Sequence, residues 1–223
     1  MFKTGNTFVD SFTGFLVFLP LLPVFIIFWK KLYRRESLNF LMVICLLQFI
    51  QRLCLQIDAI PLPHIPAFNN LFSIVYSLLF FFIFRVSFSG RCLELLQFLS
   101  IAFFSSIITF YLVKSINEES NVVRVAEYAF ICTLVIYSLA KLIDQDSLRT
   151  LQMPLFWIAC GTLFYILIHS VTEFTDRLVH PVSKPSESGK GLEKIIIQDI
   201  ADLARYIFYM IAVRVSVSSQ KKD

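Results

Sequence analysis

Four polar side chains share one face of a stretch that is otherwise apolar enough for membrane hydrocarbon. In LLQFIQRLCLQID (46–58), Gln48, Gln51, Arg52 and Gln56 fall within one arc at the helical rotation of about 100° per residue. A charged side chain near the bilayer centre costs at least about 2.5 kcal/mol, so it faces the bundle interior or water and usually pairs. The stretch therefore predicts a helix with an ion pair or a polar pocket on one face.

Three other apolar stretches carry polar faces of the same kind. The first contains Asn69, Asn70, Ser73 and Tyr76, and the second contains Thr162, Tyr165, His169 and Glu173. The third contains Gln198, Asp202, Arg205 and Tyr209, flanked by Asp199, while a further stretch contributes Glu127. We expect these faces to converge on one pocket that opens toward the outside. Its candidate ligand-binding or ion-pair residues are Gln48, Arg52, Gln56, Asn70, Tyr76, His169, Glu173, Asp199, Asp202 and Arg205.

Two simpler interpretations compete with a binding pocket. Hydrogen bonds between membrane helices contribute about 0.6 kcal/mol each, and this role suffices for Gln48 or Ser73. Glu127 and Glu173 can lie in the wet interface at the membrane surface. Neither interpretation accounts for the full charges placed deeper in the bilayer, which are Arg52, Asp202 and Arg205.

Acid–base chemistry is a further option, because Asp199, Asp202, His169 and Glu173 are groups that transfer protons. No GxSxG, HExxH or glycine-rich phosphate loop accompanies them. The five cysteines are dispersed through apolar runs without a CxxC pair, and no histidine pair is present for a membrane haem. The enzyme hypothesis therefore has no motif to support it, and neither a metal nor a cofactor is predicted.

The elements that must position these residues are membrane helices. Of the 223 residues, 57% are hydrophobic and only 16% are charged, and the mean hydropathy is +0.72. A soluble domain has about a quarter charged residues, so this chain has too little polar surface to coat a globule. Lysine and arginine occur in short clusters between apolar runs, which indicates membrane orientation and not nucleic-acid binding.

A membrane-spanning helix needs about 20 predominantly apolar residues, and seven stretches of the chain meet this requirement. They are residues 8–29, 38–57, 67–84, 93–113, 122–143, 154–174 and 192–213. The prediction is an all-α polytopic membrane helix bundle that forms one domain over residues 1–223. It has a long extracytoplasmic loop at 175–191 and a short cytoplasmic tail at 214–223.

The distribution of lysine and arginine predicts how the chain is oriented in the membrane. One side receives Lys30, Lys31, Arg34, Arg35, Arg85, Arg91, Lys141, Arg149, Arg214, Lys221 and Lys222. The other side has fewer cations, and acidic neighbours dilute them. We expect a multi-pass protein of the inner (plasma) membrane, with the N-terminus outside and the C-terminus in the cytoplasm. KKLYRR follows the first span without a cleavage site, which indicates a retained helix and not a signal peptide.

The first three and the last three spans share a pattern that suggests an internal repeat. A single offset between the third and seventh spans pairs Asn70 with Asp199, Ser73 with Asp202 and Tyr76 with Arg205. Such a repeat has two triplets of spans joined by one middle span. Three spans leave the chain on the opposite side of the membrane, so the middle span is needed for both triplets to have the same orientation. Parallel repeats of this kind occur in small-solute transporters and in seven-helix receptors.

The sixth span begins with PLFWIACGTLFY (154–165), which has the form P-x-F-W-I-x-x-G-x-L-x-Y. Together with NNLFSIVYSLLFF (69–81), it resembles a group of small seven-span membrane proteins of Bacteroidota in length, span spacing and this motif. The resemblance implies a protein that works beside two-component signalling proteins. Leu79 and Phe80 stand where the group would place an acidic residue, so no shared acidic function is expected at that point.

Two functional hypotheses follow from these patterns. The first is a small-ligand sensor or accessory signalling component, whose short inner loops require a separate cytoplasmic partner. The second is a small-solute or ion transporter, because substrate sites lie at repeat interfaces near the midplane. The inner halves of the spans are nearly all apolar, which favours the sensor, since transport needs a polar route on both sides. The bilayer is the expected environment, and a homo-oligomer is an open option.

Overall fold

The computed structural model of the chain describes residues 7–57, 60–61, 64–116, 121–145, 150–179 and 188–220. Side chains are described within these ranges except at 7–10, 121, 145, 173–179, 188–194 and 220. Over the described residues the fold is all-helical. Its α-helices are α1 (Thr7–Leu16), α2 (Leu21–Trp29), α3 (Glu36–Gln56), α4 (Ile65–Phe84), α5 (Arg91–Lys114), α6 (Asn121–Gln145), α7 (Pro154–Val179) and α8 (Ser188–Gln220). Short 3₁₀ turns follow α2 and α4, at Leu32–Arg34 and Arg85–Ser87.

The first predicted span is interrupted by a turn between α1 and α2. Pro20 is the N-cap of α2, and a proline has no N–H to continue the hydrogen bonding of a preceding helix. The break is closed by tighter i to i+3 bonds, such as Leu21 N–H to the Phe18 carbonyl at 3.0 Å. Together the two helices still form one apolar segment, Ser11–Trp29, that is long enough to cross a membrane.

Six helical segments of the described chain are long and apolar enough to cross a membrane, which makes this a multi-pass membrane protein. They are Ser11–Trp29, Glu36–Gln56, Ile65–Ser87, Arg91–Lys114, Val122–Asp144 and Pro154–Thr172. The last helix, α8, has 33 residues and is long enough, but it carries Asp199, Asp202 and Arg205 within little more than one turn and a half. Its polar composition keeps it outside this group, so a seventh span stays a prediction.

Six of the helices form a closed ring, in which each packs against the next. The order around the ring is α2, α3, α4, α6, α7, α8 and back to α2. The most extensive contact joins α7 to α8. A β-carbon added to Gly161 of α7 would lie 2.7 Å from Cβ of Phe208 and 3.2 Å from the Arg205 carbonyl oxygen on α8. Only glycine therefore fits at this crossing.

Helix α5 lies outside the ring and packs only sparsely against its members. Ile107 and Tyr111 form a small apolar cluster with Val123 of α6, and Ile74 of α4 packs against it. Most of its large apolar side chains are exposed, including Phe98, Ile101, Leu112 and Val113. In a membrane protein such a surface faces lipid, as the sequence predicts for the bundle as a whole.

The interior of the ring differs between its two ends. We call the end that contains Gln56, Ile65 and Lys114 the polar half, because buried charges and amides occupy it. The other end, which contains Trp29, Glu36 and Phe84, is the apolar half. Its buried core residues are Leu38, Leu41, Ile44, Cys45, Ile83, Phe84, Leu134, Val135, Ile158, Ala159, Ala212 and Val213. The basic loops predicted to face the cytoplasm border the apolar half.

Candidate functional site

A cavity of about 220 Å³ lies inside the polar half of the ring. Five ring helices line it, and α5 adds one residue, Tyr111. Its polar lining residues are Gln48, Gln51, Arg52, Asn69, Asn70, Ser73, Tyr76, Ser77, Tyr111, Arg124, Glu127, Tyr128, Thr162, Tyr165 and Arg205. The predicted polar faces of the second, third, sixth and seventh stretches thus meet around one space, together with the face that carries Glu127.

One interaction in the site joins three charges, of which Asp202 and Arg205 are buried and Arg52 is partly exposed. Asp202 on α8 accepts a hydrogen bond from Arg52 Nη2 on α3 through one carboxylate oxygen. Its other oxygen accepts from Nη2 of Arg205, one turn further along α8. Arg205 is only 3% exposed and Asp202 only 6%. Removing one partner of such a buried charge group leaves an uncompensated ion, so these contacts hold α3 against α8.

Arg205 is also enclosed by aromatic rings. Its guanidinium lies over the ring of Tyr165 on α7, with Cζ 3.8 Å from the centroid, and over Tyr206 at 5.0 Å. A desolvated cation–π contact is worth about 2 kcal/mol or more. The Tyr206 hydroxyl donates to Gln48 Oε1 at 2.9 Å, which ties α8 to α3 a second time. Arg205 Nε is buried without a hydrogen-bond acceptor among the described residues.

Amide and hydroxyl groups join α3 to α4 nearer the mouth of the cavity. Tyr76 donates through its hydroxyl to Gln51 Oε1 at 2.8 Å, and Gln51 Nε2 donates to Asn69 Oδ1 at 3.1 Å. Asn70 Nδ2 donates to the carbonyl oxygen of Ile116, just beyond the end of α5, at 2.8 Å. These hydrogen bonds connect α3, α4 and the residues that follow α5 on this side of the cavity.

Glu127 on α6 supplies the acidic group of the cavity wall. It is 2% exposed, and one of its carboxylate oxygens accepts a hydrogen bond from the Ser73 hydroxyl on α4. The other oxygen, Oε1, is buried without a donor among the described residues. The described charged side chains that line the cavity are this one acid and three cations, Arg52, Arg124 and Arg205.

Five of the predicted residues line the cavity, and Asp202 lies directly behind two of them. The five are Gln48, Arg52, Asn70, Tyr76 and Arg205. Asp199 points elsewhere, because its carboxylate accepts from Thr13 Oγ1 on α1 at 2.8 Å. Gln56 also lies against α1, near Gly14. The ligand-binding role of all these residues stays a prediction.

The polar face of α7 reaches the cavity with two of its three described side chains. Thr162 and Tyr165 line the space, and Thr162 shares a hydrogen bond of 3.1 Å with the Tyr209 hydroxyl. His169 packs against the Tyr165 ring, with centroids 4.2 Å apart and the ring planes tilted by 44°, and does not line the cavity. The side chain of Glu173 lies outside the described residues. Each described acid of the polar faces bonds to a different partner: Asp199 to Thr13, Asp202 to Arg52 and Arg205, and Glu127 to Ser73. No group of three or more described His, Cys, Asp or Glu residues is placed to hold a metal ion.

Tyr206 lies beside the cavity and was not selected by sequence reasoning, and neither were the cavity-lining residues Ser77, Tyr111, Arg124 and Tyr128. Tyr206 is 1% exposed, contacts both arginines and bonds to Gln48. Its position four residues after Asp202 places it on the same helix face, which is the one signal that could have identified it. A tyrosine in an apolar run is otherwise indistinguishable from a core or interfacial aromatic residue.

No protein-family model, curated protein or solved structure matches the chain. What the site does must therefore be argued from its own geometry and charge.

Proposed function

We propose that this membrane protein binds a small polar solute from outside in the cavity of the polar half, as a sensor or accessory signalling component. The observation that carries the proposal is the charge pattern of the cavity wall. Arg52 and Arg205 line the cavity, whereas Asp202 lies behind them. The wall thus presents guanidinium groups to a solute, and such groups bind carboxylates and other anions well.

The size of the cavity limits what can bind. Its volume of about 220 Å³ is below the range of roughly 300–1,000 Å³ typical of sites for drug-sized ligands. It fits a solute of a few non-hydrogen atoms that has an anionic group for the arginines. An N–H or O–H donor on the same solute would complement Glu127, whose Oε1 has no donor among the described residues.

Thermal unfolding of the purified protein in mild detergent tests this proposal. A ligand at 100 times its Kd stabilises the protein that binds it by about 2.7 kcal/mol. We expect small carboxylates or amino acids to raise the unfolding temperature, and neutral sugars of similar size to leave it unchanged. Arg205→Lys keeps the charge but loses the planar contact with Tyr165, so the ligand-induced shift should shrink.

Arg91→Lys is the matched control, because Arg91 is an exposed cation at the start of α5, away from the cavity. It should retain the full ligand-induced shift. If no solute in the panel stabilises the protein, or if the shift persists in Arg205→Lys, the binding proposal is wrong.

A sensor is favoured over a transporter because the apolar half closes the cavity from the other side. Below Arg205 the interior is filled by Ile44, Cys45, Ile158 and Val213, which are all 0% exposed. Alternating access would require a polar route through this packing. Proteoliposomes that bind the solute without accumulating it would agree with a sensor. Uptake that is abolished by Arg205→Lys would establish the transporter instead.

The signalling part of the proposal requires a cytoplasmic partner, as the resemblance to proteins that work beside two-component systems suggests. The basic loops that border the apolar half offer a surface for an acidic partner. Purification from native membranes in mild detergent should recover a signalling protein with this chain. Recovery of an isolated monomer would count against the accessory role.

We also propose seven spans, with the N-terminus outside and the C-terminus in the cytoplasm of an inner membrane. The support is the excess of lysine and arginine on one side of the predicted spans. A reporter fused after Asp223 that is active only in the cytoplasm is the expected result. Activity only outside the cell would reverse the orientation.

A further inference from the structure

A second concave site lies on the outer surface of the ring, in the groove between α2 and α8. Its volume is about 520 Å³, larger than that of the polar cavity. Its apolar wall consists of Leu19, Leu22, Ile26, Leu203, Ile207, Met210, Ile211 and Val217. Tyr206 and two cations, Lys30 and Arg214, complete the lining, which includes no acidic residue among those described.

The two cations lie at the same end of the groove, because α2 and α8 run parallel. Thr13, before α2, bonds to Asp199 near one end of α8, and Arg35, after α2, bonds to Ser219 near the other. Lys30 directly follows α2, and Arg214 lies eleven residues after Leu203 on α8. At about 1.5 Å per residue the groove extends roughly 16 Å from Leu203 to Arg214, and Val217 lines it one turn further on. The distance from Leu203 to Arg214 is about half of a ~30 Å hydrocarbon core, so the groove has the length of one leaflet.

The two cations at this end have no partner among the described residues. Both side chains are exposed, and no hydrogen bond or ion pair within the described part of the chain engages Lys30 Nζ or the Arg214 guanidinium. Lys31 and Arg34, close by in the sequence, are also exposed cations. The apolar part of the groove matches the length and polarity of an acyl chain. The cations at its end have the opposite charge to an anionic head group. The groove therefore complements a lipid whose head group is anionic.

We propose that this groove binds one anionic phospholipid. One acyl chain lies along the apolar wall between α2 and α8, and the phosphate lies between Lys30 and Arg214. A free phosphate ion would leave the apolar wall empty, and an apolar partner helix would leave both cations without counter-charge. The proposal does not depend on the function of the polar cavity. The two sites nevertheless share Tyr206, which lines the groove and donates to Gln48 in the cavity network.

The tryptophan content of the chain allows a direct test. The sequence has two tryptophans, and Trp29 is 69% exposed and immediately precedes Lys30. Trp157→Phe leaves Trp29 as the single emitting indole of the whole protein. The variant is reconstituted in phosphatidylcholine vesicles that contain either brominated phosphatidylglycerol or brominated phosphatidylcholine, both of which quench a neighbouring indole on contact.

We expect brominated phosphatidylglycerol to quench Trp29 at a lower mole fraction than brominated phosphatidylcholine. Each cation near the membrane surface should contribute roughly fivefold to this preference. Lys30→Gln and Arg214→Gln should each remove about one such factor, and the double variant should lose both factors. Arg91→Gln, which removes a cation from α5 away from the groove, is the matched control and should keep the full preference.

Three results would overturn the proposal. The first is equal quenching by both lipids in the Trp157→Phe protein, and the second is a preference that the double substitution leaves undiminished. The third is protection of Trp29 from both lipids, which would indicate a protein in the groove. Native mass spectrometry of the wild-type protein, released from mixed vesicles, gives a second measurement without the tryptophan substitution. It should show phosphatidylglycerol retained in excess over phosphatidylcholine.

Discussion

The polar and apolar halves of the ring are built from the same helices but are held together by different interactions. In the polar half, Asp202 binds Arg52 and Arg205, and Ser73 binds Glu127. The apolar half is packed with aliphatic and aromatic side chains, and its buried polar groups include the Ser138 and Ser216 hydroxyls, which have no hydrogen-bond partner among the described residues. In the interior of the ring, one half specifies its neighbours through hydrogen bonds and the other through shape. The polar contacts of the apolar half, such as Arg85 with Glu36 and Arg35 with Ser219, lie at its outer end.

This difference matters because lipid tails are as apolar as leucine. Apolar packing alone gives a membrane helix little reason to prefer another helix over lipid, so polar contacts and close packing of small residues decide which helices become neighbours. The charged group of three joins α3 to α8, and Gln51 joins α3 to α4. We infer that the polar half fixes the arrangement of the ring and the apolar half closes it.

Among substitutions that test this difference between the halves, Asp202→Asn is expected to change the free energy of unfolding most. Asparagine has about the same shape but no charge, so Arg52 and Arg205 would lose their common counter-ion. Removing one partner of a buried charge group costs about 3–5 kcal/mol. The free energy of unfolding in detergent micelles should fall by that amount. Asp144→Asn, at an exposed position near the end of α6, should change it by less than about 0.5 kcal/mol.

A double substitution separates the charge effect from a general loss of packing. Adding Arg52→Gln to Asp202→Asn removes one of the two unpaired cations and should restore part of the lost stability. Strictly additive losses would show that Arg52 and Asp202 are not coupled. An Asp202→Asn protein as stable as the wild type would mean that the charged group does not hold the ring.

Hydropathy was sufficient to predict the six apolar segments that are long enough to cross a membrane, and helical periodicity identified five of the residues that line the cavity. They could not predict which acid pairs with Arg52, because that depends on how far neighbouring helices are shifted along their axes. Asp199 and Asp202 are three residues apart on one helix, yet one bonds to Thr13 and the other to Arg52. The prolines at 20 and 23 were visible in the sequence, but a hydropathy window does not register the break they cause.

The proposed internal repeat stays a prediction, although the ring gives it a specific form to test. Around the ring the first three predicted spans are followed by the last three, and the middle helix α5 lies outside. A two-fold rotation about the ring axis would exchange two such triplets. The charges do not follow this symmetry, since α8 carries Asp202 and Arg205 where α4 carries Ser73 and Tyr76. Periodicity aligned these positions but could not show how different their contacts are.

A smaller effect, at the boundary between the two halves, is expected from Gly161→Ala. The added methyl would lie 2.7 Å from Cβ of Phe208 and 3.2 Å from the Arg205 backbone oxygen, so α7 and α8 must separate. Overpacking of this kind costs about 1–3 kcal/mol, which unfolding in micelles would detect. Gly14→Ala is the matched control, because its new methyl would meet Gln56 Nε2 at an ordinary 3.4 Å. If both variants lose stability equally, the cost comes from the helix backbone and not from this crossing.

The smallest and sharpest comparison is between two serines one turn apart on α4, since both line the cavity. Ser73 donates to buried Glu127, whereas the Ser77 hydroxyl, in a residue 1% exposed, has no partner in the described structure. Ser73→Ala leaves the carboxylate without its donor and should cost about 1–3 kcal/mol in unfolding free energy. Ser77→Ala removes only an unpaired hydroxyl, so stability should stay the same or rise slightly. Equal changes in unfolding free energy for the two variants would show that the hydrogen bond to Glu127 adds nothing beyond packing. The distinction between the two halves would then be wrong.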